Sequence, residues 1–98
     1  MWSVYILRCS DGTFYTGITK DIGKRTQAHN QGRGARYTRC RRPVKLVYME
    51  PALDRPSALR REAQIKRLSR ARKKELIQWN TIDSGGHHER YPDTSELE

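Results

Sequence analysis

The chain has 98 residues, with 20 lysine and arginine side chains against 11 acidic ones and a formal net charge of +9. This length suits one small domain, and a hydrophobic fraction of 35% allows only a thin core. The first apolar run is cut short by Arg8, which excludes a membrane-spanning helix and a signal peptide there. Cys9 and Cys40 show no metal-ligand or disulfide pattern, so we expect a soluble protein of the reducing cytoplasm.

The charge is unevenly distributed along the chain. Residues 81–98 hold five acids and one base, so residues 1–80 hold nineteen bases and six acids, a net of +13. Such a domain favours a polyanionic partner, and nucleic acid is preferred over a membrane surface or a simple effect on solubility. We therefore expect one folded domain over residues 1–80, followed by a flexible acidic tail over residues 81–98.

Residues 3–19 have the pattern of a β-hairpin, with β-branched and aromatic residues on both sides of Asp11-Gly12. A two-residue turn would place Tyr5 and Tyr15 on opposite faces of the hairpin. A three-residue loop with Gly12 in the left-handed conformation instead gathers the apolar side chains on one face. In this preferred register both tyrosines share the second face with Gly17, which lies opposite Tyr5 and leaves a gap beside the rings.

The segment after the hairpin predicts a helix that begins near Asp21 and ends before Gly32. Arg25 and His29 are four residues apart and therefore lie on one face of it. Residues 32–43 predict a loop with a strong basic signature. Its five arginines indicate contacts to phosphates, although a plain solvated loop would have the same composition.

Residues 44–50 predict a third strand with Val44, Leu46 and Tyr48 on one face. A helix is predicted over residues 54–68, where the apolar positions Ala58, Leu59, Ala63, Ile65 and Leu68 form one arc. A last helix is expected after a cap at Ser69, with Leu76, Ile77 and Trp79 closing the core and Asn80 at its end.

Glu62 lies inside the apolar arc of the helix over residues 54–68. A carboxylate at such a position is costly unless it is paired or binds a cation. It can pair with Lys66 one turn later, or it can hold a metal ion. Both interpretations stay open at this point.

The order of these residues resembles the GIY-YIG nuclease superfamily in its short, stand-alone, single-domain type. SVY at residues 3–5 occupies the first motif, with serine in place of the motif glycine, and YTG at residues 15–17 occupies the second. Arg25 and His29 stand where the family has a helix arginine and a histidine one turn later. Glu62 matches its metal-binding glutamate. None of these five features identifies the family by itself, but their occurrence together in this order does.

The resemblance implies an α+β fold: a small three-stranded antiparallel sheet flanked by helices, in the order strand, strand, helix, strand, helix, helix. It implies a divalent-metal-dependent endonuclease with Mg²⁺ or Mn²⁺ held by Glu62. Only one of the six carboxylates in residues 1–80 is expected to face inward, which favours one ion over a two-metal site. The implied catalytic residues are Tyr5, Tyr15, Arg25, His29 and Glu62. Residues assigned to substrate binding are Gly17, Arg33, Arg36, Arg39, Arg41, Arg42, Lys66 and Asn80, the last at the family's late asparagine.

Each of these residue types suits phosphodiester hydrolysis. The guanidinium of Arg25 is planar and permanently charged, so it can hold two phosphate oxygens. A tyrosine accepts a proton only as phenolate, about 0.1% populated at pH 7 for an ordinary pKa near 10. By resemblance Tyr5 or Tyr15 is the base or base relay, with His29 helping to move the proton. Each tyrosine would otherwise be read as a packing residue, and His29 as a solvated helix residue.

Two functions of different class follow from these residues. The preferred one is an endonuclease acting on DNA, in repair or recombination, because the family works mainly in those processes. The alternative is a non-cleaving module that binds DNA or RNA, or associates with ribosomes, on the same fold. Basic residues of this kind contact the backbone and do not read base sequence, so either structure-selective cutting or a protein partner would supply targeting.

Overall fold

Three strands and four helices make up the part of the chain that the structure, a computed structural model, describes: residues 1–79. In chain order these are β1 (Trp2–Arg8), β2 (Phe14–Thr19), α1 (Ile22–Asn30), α2 (Arg36–Arg39), β3 (Lys45–Ala52), α3 (Arg55–Lys66) and α4 (Arg70–Trp79). The strands form one antiparallel sheet in the order β2-β1-β3. This confirms the predicted α+β fold. Asn80 and the expected acidic tail lie outside the described residues.

The hairpin has the register that the face pattern predicted. Tyr5 pairs with Gly17, and Val4 with Ile18, across β1 and β2. Gly12 has a φ of 86°, in the left-handed region that glycine adopts at low cost. The Asp11 carboxylate accepts hydrogen bonds from the backbone N–H and the hydroxyl of Thr13, which closes the loop.

Side-chain oxygens cap the three longer helices at their N-termini. Asp21 accepts the backbone N–H of Lys24 at 3.1 Å, and Asp54 accepts that of Ser57 at 2.9 Å. The predicted cap at Ser69 is confirmed by a 3.2 Å bond from the backbone N–H of Arg72. These bonds satisfy N–H groups that have no partner within the helix. No helix among residues 1–79 is both long and apolar enough to cross a membrane.

The apolar core lies between one face of the sheet and the helices α3 and α4. Its buried members are Val4, Ile6, Tyr48, Ala58, Ile65 and Leu76. Two residues expected in this core are exposed: Leu59 by 38% and Trp79 by 43%. Ala58 and Ile65, seven residues apart, face the sheet, and Leu59 is rotated about 100° beyond Ala58. Trp79 is the last residue of α4 and lies outside the core.

The predicted alternation of the third strand is wrong at one point. Leu7 pairs with Leu46 but Ile6 pairs with Tyr48, so the register shifts between Ile6 and Leu7 and Val47 is left as the extra residue of a bulge. A bulge places one additional residue in a strand and reverses the faces beyond it. Tyr48 therefore packs with Ile6 in the apolar core, whereas Leu46 packs on the opposite face.

The segment between α1 and β3, predicted as a loop, contains the single turn α2. Asn30 at the end of α1 ties this segment to the sheet through both atoms of its amide. Its Nδ2 donates to the carbonyl of Val44 at 3.0 Å, and its Oδ1 accepts the Val44 N–H at 2.7 Å. The chain between them is thereby folded back over His29, the neighbour of Asn30.

Candidate active site

A buried chain of hydrogen bonds connects β1, α1 and α2. The hydroxyl oxygen of Tyr5 lies 3.0 Å from Nε2 of His29, and Nδ1 of His29 lies 2.8 Å from the hydroxyl oxygen of Thr38. The Thr38 hydroxyl also donates to the carbonyl of Ala35 at 2.9 Å. Tyr5, His29 and Thr38 are all fully buried. Buried polar groups that satisfy one another in this way are rigid and costly to disrupt.

The same contacts assign the proton on the His29 ring. Because the Thr38 hydroxyl has one proton and gives it to Ala35, Thr38 accepts from His29, and Nδ1 is the protonated nitrogen. Nε2 is then the acceptor and takes the proton of the Tyr5 hydroxyl. The backbone N–H of Ala35 also points at Nδ1, at 3.4 Å, but a protonated Nδ1 cannot accept it, and the two shorter bonds decide the assignment.

Two glycines allow backbone to approach the rings of this chain. A Cβ on Gly17 would lie 2.6 Å from the hydroxyl oxygen of Tyr5 and 3.2 Å from the Tyr15 ring. A Cβ on Gly34 would overlap Nδ1 of His29. The strand β2 and the segment before α2 therefore contact Tyr5 and His29 directly with their backbones. The gap beside the tyrosines that the sequence placed at Gly17 is filled by the two rings.

Arg25, one turn before His29 on α1, supplies the positive charge of the site. Its Nε donates to the hydroxyl oxygen of Tyr5 at 3.4 Å. Burial raises the pKa of Tyr5, and the hydrogen bond from Arg25 opposes that rise. Burial, and then the charge of Arg25, lower the pKa of His29 to about 4. His29 is therefore neutral at pH 7, in agreement with its acceptor nitrogen.

Tyr15 differs from Tyr5 in its exposure. It is half-buried, and its ring centroid lies 6.4 Å from that of Tyr5 and 5.2 Å from that of His29. On α2 the ring of Tyr37 stacks on Tyr15 at 6.1 Å and is 38% exposed. Arg41 lies 3.9 Å above the Tyr37 ring. Tyr15 thus joins the buried hydrogen-bonded chain to an aromatic surface that solvent reaches.

Glu62 forms an ion pair with Lys66 at 3.3 Å, as the structural interpretation of the sequence proposed. Its side chain is 18% exposed, and its charge also contributes to raising the pKa of Tyr5. A cation at this carboxylate would oppose that effect. Among residues 1–79 there is no group of three or more candidate ligands. One carboxylate nevertheless fits Mg²⁺, which keeps several waters and completes its shell with substrate phosphate.

The arginines of the basic loop fall into two groups. Arg33, Arg36 and Arg39 are exposed. Arg41 pairs with Asp11 at 3.1 Å and also donates to the carbonyl of Tyr37. Arg42 donates to the carbonyls of Arg39 and Asn30. The guanidinium groups of Arg41 and Arg42 thus stabilise the conformation of the loop. The other three arginines extend into solvent.

Sequence reasoning missed three residues of the site. Thr38 and Gly34 both contact the ring of His29, and Tyr37 stacks on Tyr15. Tyr37 lies among the arginines of the basic loop, where composition alone gives an aromatic residue no specific role. Thr38 is nine residues from His29 with no periodic relation to it, so no spacing rule would have found this contact.

The sheet, the helix arginine and the tyrosine–histidine cluster together define a nuclease fold. The GIY-YIG catalytic domain matches residues 1–75, and the chain belongs to this family. Members of the family act on nucleic acid and generally use a divalent metal ion.

Similar proteins match most of this chain. The chain is 58% identical over 78 residues to a UPF0213 protein of Syntrophus aciditrophicus, covering 79% of this chain and 90% of that one. It is 56% identical over 77 residues to UPF0213 protein DP2720 of Desulfotalea psychrophila, covering 78% and 70%. The solution structure of UPF0213 protein BH0048 from Bacillus halodurans is 40% identical, with a TM-score of 0.55 and coverage of 85% and 89%.

Proposed function

We propose that this protein is an endonuclease that hydrolyses phosphodiester bonds in DNA with one divalent metal ion. The observation that carries the proposal is the hydrogen bond from the buried Tyr5 hydroxyl to Nε2 of a neutral His29, with Arg25 beside it. A phenol with both a cation and a proton acceptor at its oxygen is equipped to pass on a proton. A buried packing tyrosine needs a hydrogen-bond acceptor, but it does not need a cation at its oxygen.

In the proposed reaction a water attacks the phosphorus while its proton passes, by way of the half-buried Tyr15, to the hydroxyl oxygen of Tyr5. The proton already on that oxygen passes to Nε2 of His29, so the phenol stays neutral and the imidazole becomes charged. Thr38 holds the ring in the tautomer that leaves Nε2 free to accept. Tyr15 is the half-buried tyrosine, so a water that enters the site contacts it first.

Substrate binding makes this transfer easier. The charge of Arg25 is one of the two causes of the low pKa of His29. A phosphate anion held by Arg25 offsets that charge, and the pKa of His29 rises toward its ordinary value. Arg25 also stabilises the charge that builds on the phosphate oxygens as the water adds. The relay is therefore best able to accept a proton when substrate is bound.

Glu62 is the residue that we propose holds the metal ion, Mg²⁺ or Mn²⁺. When bound, the ion neutralises phosphate charge and stabilises the leaving oxygen. The ion pair with Lys66 does not prevent this, because such pairs on helix surfaces contribute little. Lys66 would then contact the phosphate that accompanies the metal. Asn80, a further proposed contact, lies outside the described residues.

DNA is the proposed substrate because the family works mainly in DNA repair and recombination. The exposed arginines Arg33, Arg36 and Arg39 would contact its backbone phosphates without reading bases. Selection of a DNA structure, in repair or recombination, would then come from the shape of the substrate or from a protein partner. We place the activity in the cytoplasm. Support comes from the two cysteines, which are unpaired, with Cys40 exposed.

The experiment that tests this function uses the full chain with linear, nicked and branched DNA, with and without Mg²⁺ or Mn²⁺. The matched variants are Glu62→Gln and Glu75→Gln; Glu75 is an exposed glutamate on α4 that pairs with Arg72. We expect metal-dependent cutting that Glu62→Gln abolishes and Glu75→Gln preserves, with DNA binding retained in both. Binding without cutting by the unmodified protein would overturn the nuclease in favour of a binding module.

A further inference from the structure

A second basic concavity lies at the hairpin end of the sheet, apart from Tyr5 and His29. It measures about 320 Å³ and is formed where the ends of β1 and β3 meet the start of α4. Its charged lining residues are Arg8, Lys45, Arg70 and Lys74. They come from three elements of the fold, so the sequence places only Arg70 and Lys74 near each other. Acidic residues are absent from its lining.

The charges in this concavity are not balanced by acids. Arg8 and Lys45 are cross-strand partners, an arrangement that is destabilising for like charges. The ion pairs among residues 1–79 involve other bases: Arg41, Arg61, Lys66 and Arg72. The fold therefore brings positive charges together at a cost in stability. An anion bound between them would remove that cost.

The position of the concavity separates it from the catalytic cleft. Arg8 follows Tyr5 by three residues, about 10 Å along the strand, and belongs to the face of Val4 and Ile6. On that face the guanidinium of Arg70 lies 4.8 Å above the ring of Phe14, the strand partner of Arg8. A group bound here cannot touch the hydroxyl of Tyr5, which is on the other face.

The concavity is nevertheless continuous with the basic loop. Pro43 lines both this concavity and a neighbouring one that contains Arg39 and Arg42. Positive charge thus extends from the loop before β3 around the hairpin end of the sheet. A small anion would occupy only one part of this surface, whereas a polymer of phosphates can follow all of it.

We propose that Arg8, Lys45, Arg70 and Lys74 form a second phosphate-binding site for the DNA backbone, distant from the site of cleavage. The proposal rests on the proposed function for the identity of its ligand. The site holds substrate and adds to affinity; it takes no part in the chemistry. Its contacts are to phosphates, so the binding it adds is independent of base sequence and weakens with salt.

The test compares two double variants that remove equal charge. Lys45→Gln with Lys74→Gln changes the proposed site, and Arg55→Gln with Arg67→Gln removes two exposed charges of α3 and its C-terminus that line neither concavity. Binding of labelled duplex DNA is measured by fluorescence anisotropy from about 50 to 300 mM salt. Over this range the logarithm of the affinity falls linearly with the logarithm of the salt concentration, and each phosphate contact adds roughly one unit to the slope.

We expect the Lys45/Lys74 double variant to bind about 10- to 30-fold more weakly near 150 mM salt, with a slope smaller by about two. The control should change little. Thermal melting should show the Lys45/Lys74 variant at least as stable as the unmodified protein, because its substitution relieves the repulsion between Arg8 and Lys45. A packing role for these lysines would predict the opposite change in melting temperature.

The outcomes of this test separate the site from the proposed function. Equal losses of DNA affinity in both double variants would overturn the site, because the loss would then be an effect of net charge. Unchanged binding in the Lys45/Lys74 variant, with salt-dependent binding by the unmodified protein, would reject the site and leave the proposed function intact. Loss of affinity in that variant alone, in a protein that does not cut DNA, would support the site and reject the nuclease. A protein that binds no DNA would overturn both.

Discussion

The two faces of β1 are both fully buried over residues 4–7, yet they are stabilised in different ways. Val4 and Ile6 on one face belong to a hydrophobic cluster that includes Ala58 and Ile65. On the other face, Tyr5 is buried to the same extent but places its hydroxyl between His29 and Arg25. A single strand thus contributes to an apolar core on one side and to a hydrogen-bonded chain on the other.

This difference separates the requirements of folding from those of function. Apolar contacts depend on volume and tolerate substitutions that conserve it. Hydrogen-bonded buried groups depend on particular atoms, because removal of one leaves its partner unpaired. Substitutions that conserve volume should therefore leave the apolar face nearly intact and damage the polar face. Neighbouring residues of the same strand allow a direct comparison.

The largest effect is expected from Tyr5→Phe, compared with Ile6→Val. Loss of the hydroxyl removes the relay, and general-base catalysis is typically worth about 10²- to 10⁴-fold, so cutting should fall by that factor. Ile6→Val should cost about 0.5–1.5 kcal/mol of unfolding free energy and leave the cutting rate unchanged. Single-turnover cutting rates and urea denaturation measure the two quantities. Full activity in Tyr5→Phe would remove Tyr5 from the proton path.

The second prediction compares two glycines that differ in what surrounds them. A methyl group on Gly17 would lie 2.6 Å from the Tyr5 hydroxyl, whereas one on Gly23 in α1 would lie 3.6 Å from a carboxylate oxygen of Asp21, an ordinary van der Waals distance. Gly17→Ala should destabilise the fold by about 1–3 kcal/mol through overpacking and should also reduce cutting. Gly23→Ala should be stabilising by up to about 1 kcal/mol, since alanine favours helix. Thermal melts of the pair are the measurement, and equal shifts would contradict the close contact at Gly17.

The third prediction concerns pH, because His29 has a pKa of about 4 in the folded chain. Its ordinary value is about 6.5, so between these values the unfolded chain binds a proton that the folded chain does not. Stability from His29 is therefore present above about pH 6.5 and is lost as pH falls toward 4. From pH 7 to pH 5 the loss is about 2 kcal/mol.

The pH prediction is measured by urea denaturation of the unmodified protein and of His29→Gln at pH 7 and pH 5. The glutamine variant is less stable at both values, but its loss between them should be smaller by about 2 kcal/mol. The carboxylates titrate in both proteins and cancel in the difference. Parallel losses in the two proteins would show that His29 titrates normally in the folded chain.

Much of the fold was predictable because its signals are local. The hairpin register followed from the alternation around Gly12, and the helix starts followed from Asp21, Asp54 and Ser69. These depend on residues that are close together in sequence. The bulge at Val47 was not predictable in this way, because the mismatch exists only when β3 pairs with β1.

The candidate site likewise contains some contacts that local sequence predicts and others that depend on distant parts of the chain. Tyr5, Arg25 and His29 were placed together by the hairpin register, by helix spacing and by resemblance, and the structure brings their side chains into contact. Thr38 reaches His29 only because the chain after α1 folds back and is tied to the sheet by Asn30. Contacts that depend on the path of a loop carry no periodic signal in the sequence.

The smallest predicted effect comes from Thr38, which touches no substrate and acts through His29 as a positioning residue. In Thr38→Val the volume is kept, but Nδ1 of His29 loses the oxygen that accepts its proton. The backbone N–H of Ala35, at 3.4 Å, is then the nearest partner and favours an unprotonated Nδ1. The proton moves to Nε2, which can no longer accept from Tyr5. Thr38→Ser keeps the hydroxyl and the original tautomer.

We expect Thr38→Val to cut about 5-fold more slowly at saturating DNA, since a hydrogen bond is worth about 1 kcal/mol and about 1.4 kcal/mol is a factor of ten. The KM should change little, because Thr38 lies behind the relay, and Thr38→Ser should restore most of the rate. Nitrogen chemical shifts of His29 report the tautomer directly and should exchange between Nδ1 and Nε2 in the valine variant only. A valine variant that cuts slowly with its tautomer unchanged would show that Thr38 supports α2 and not the proton path.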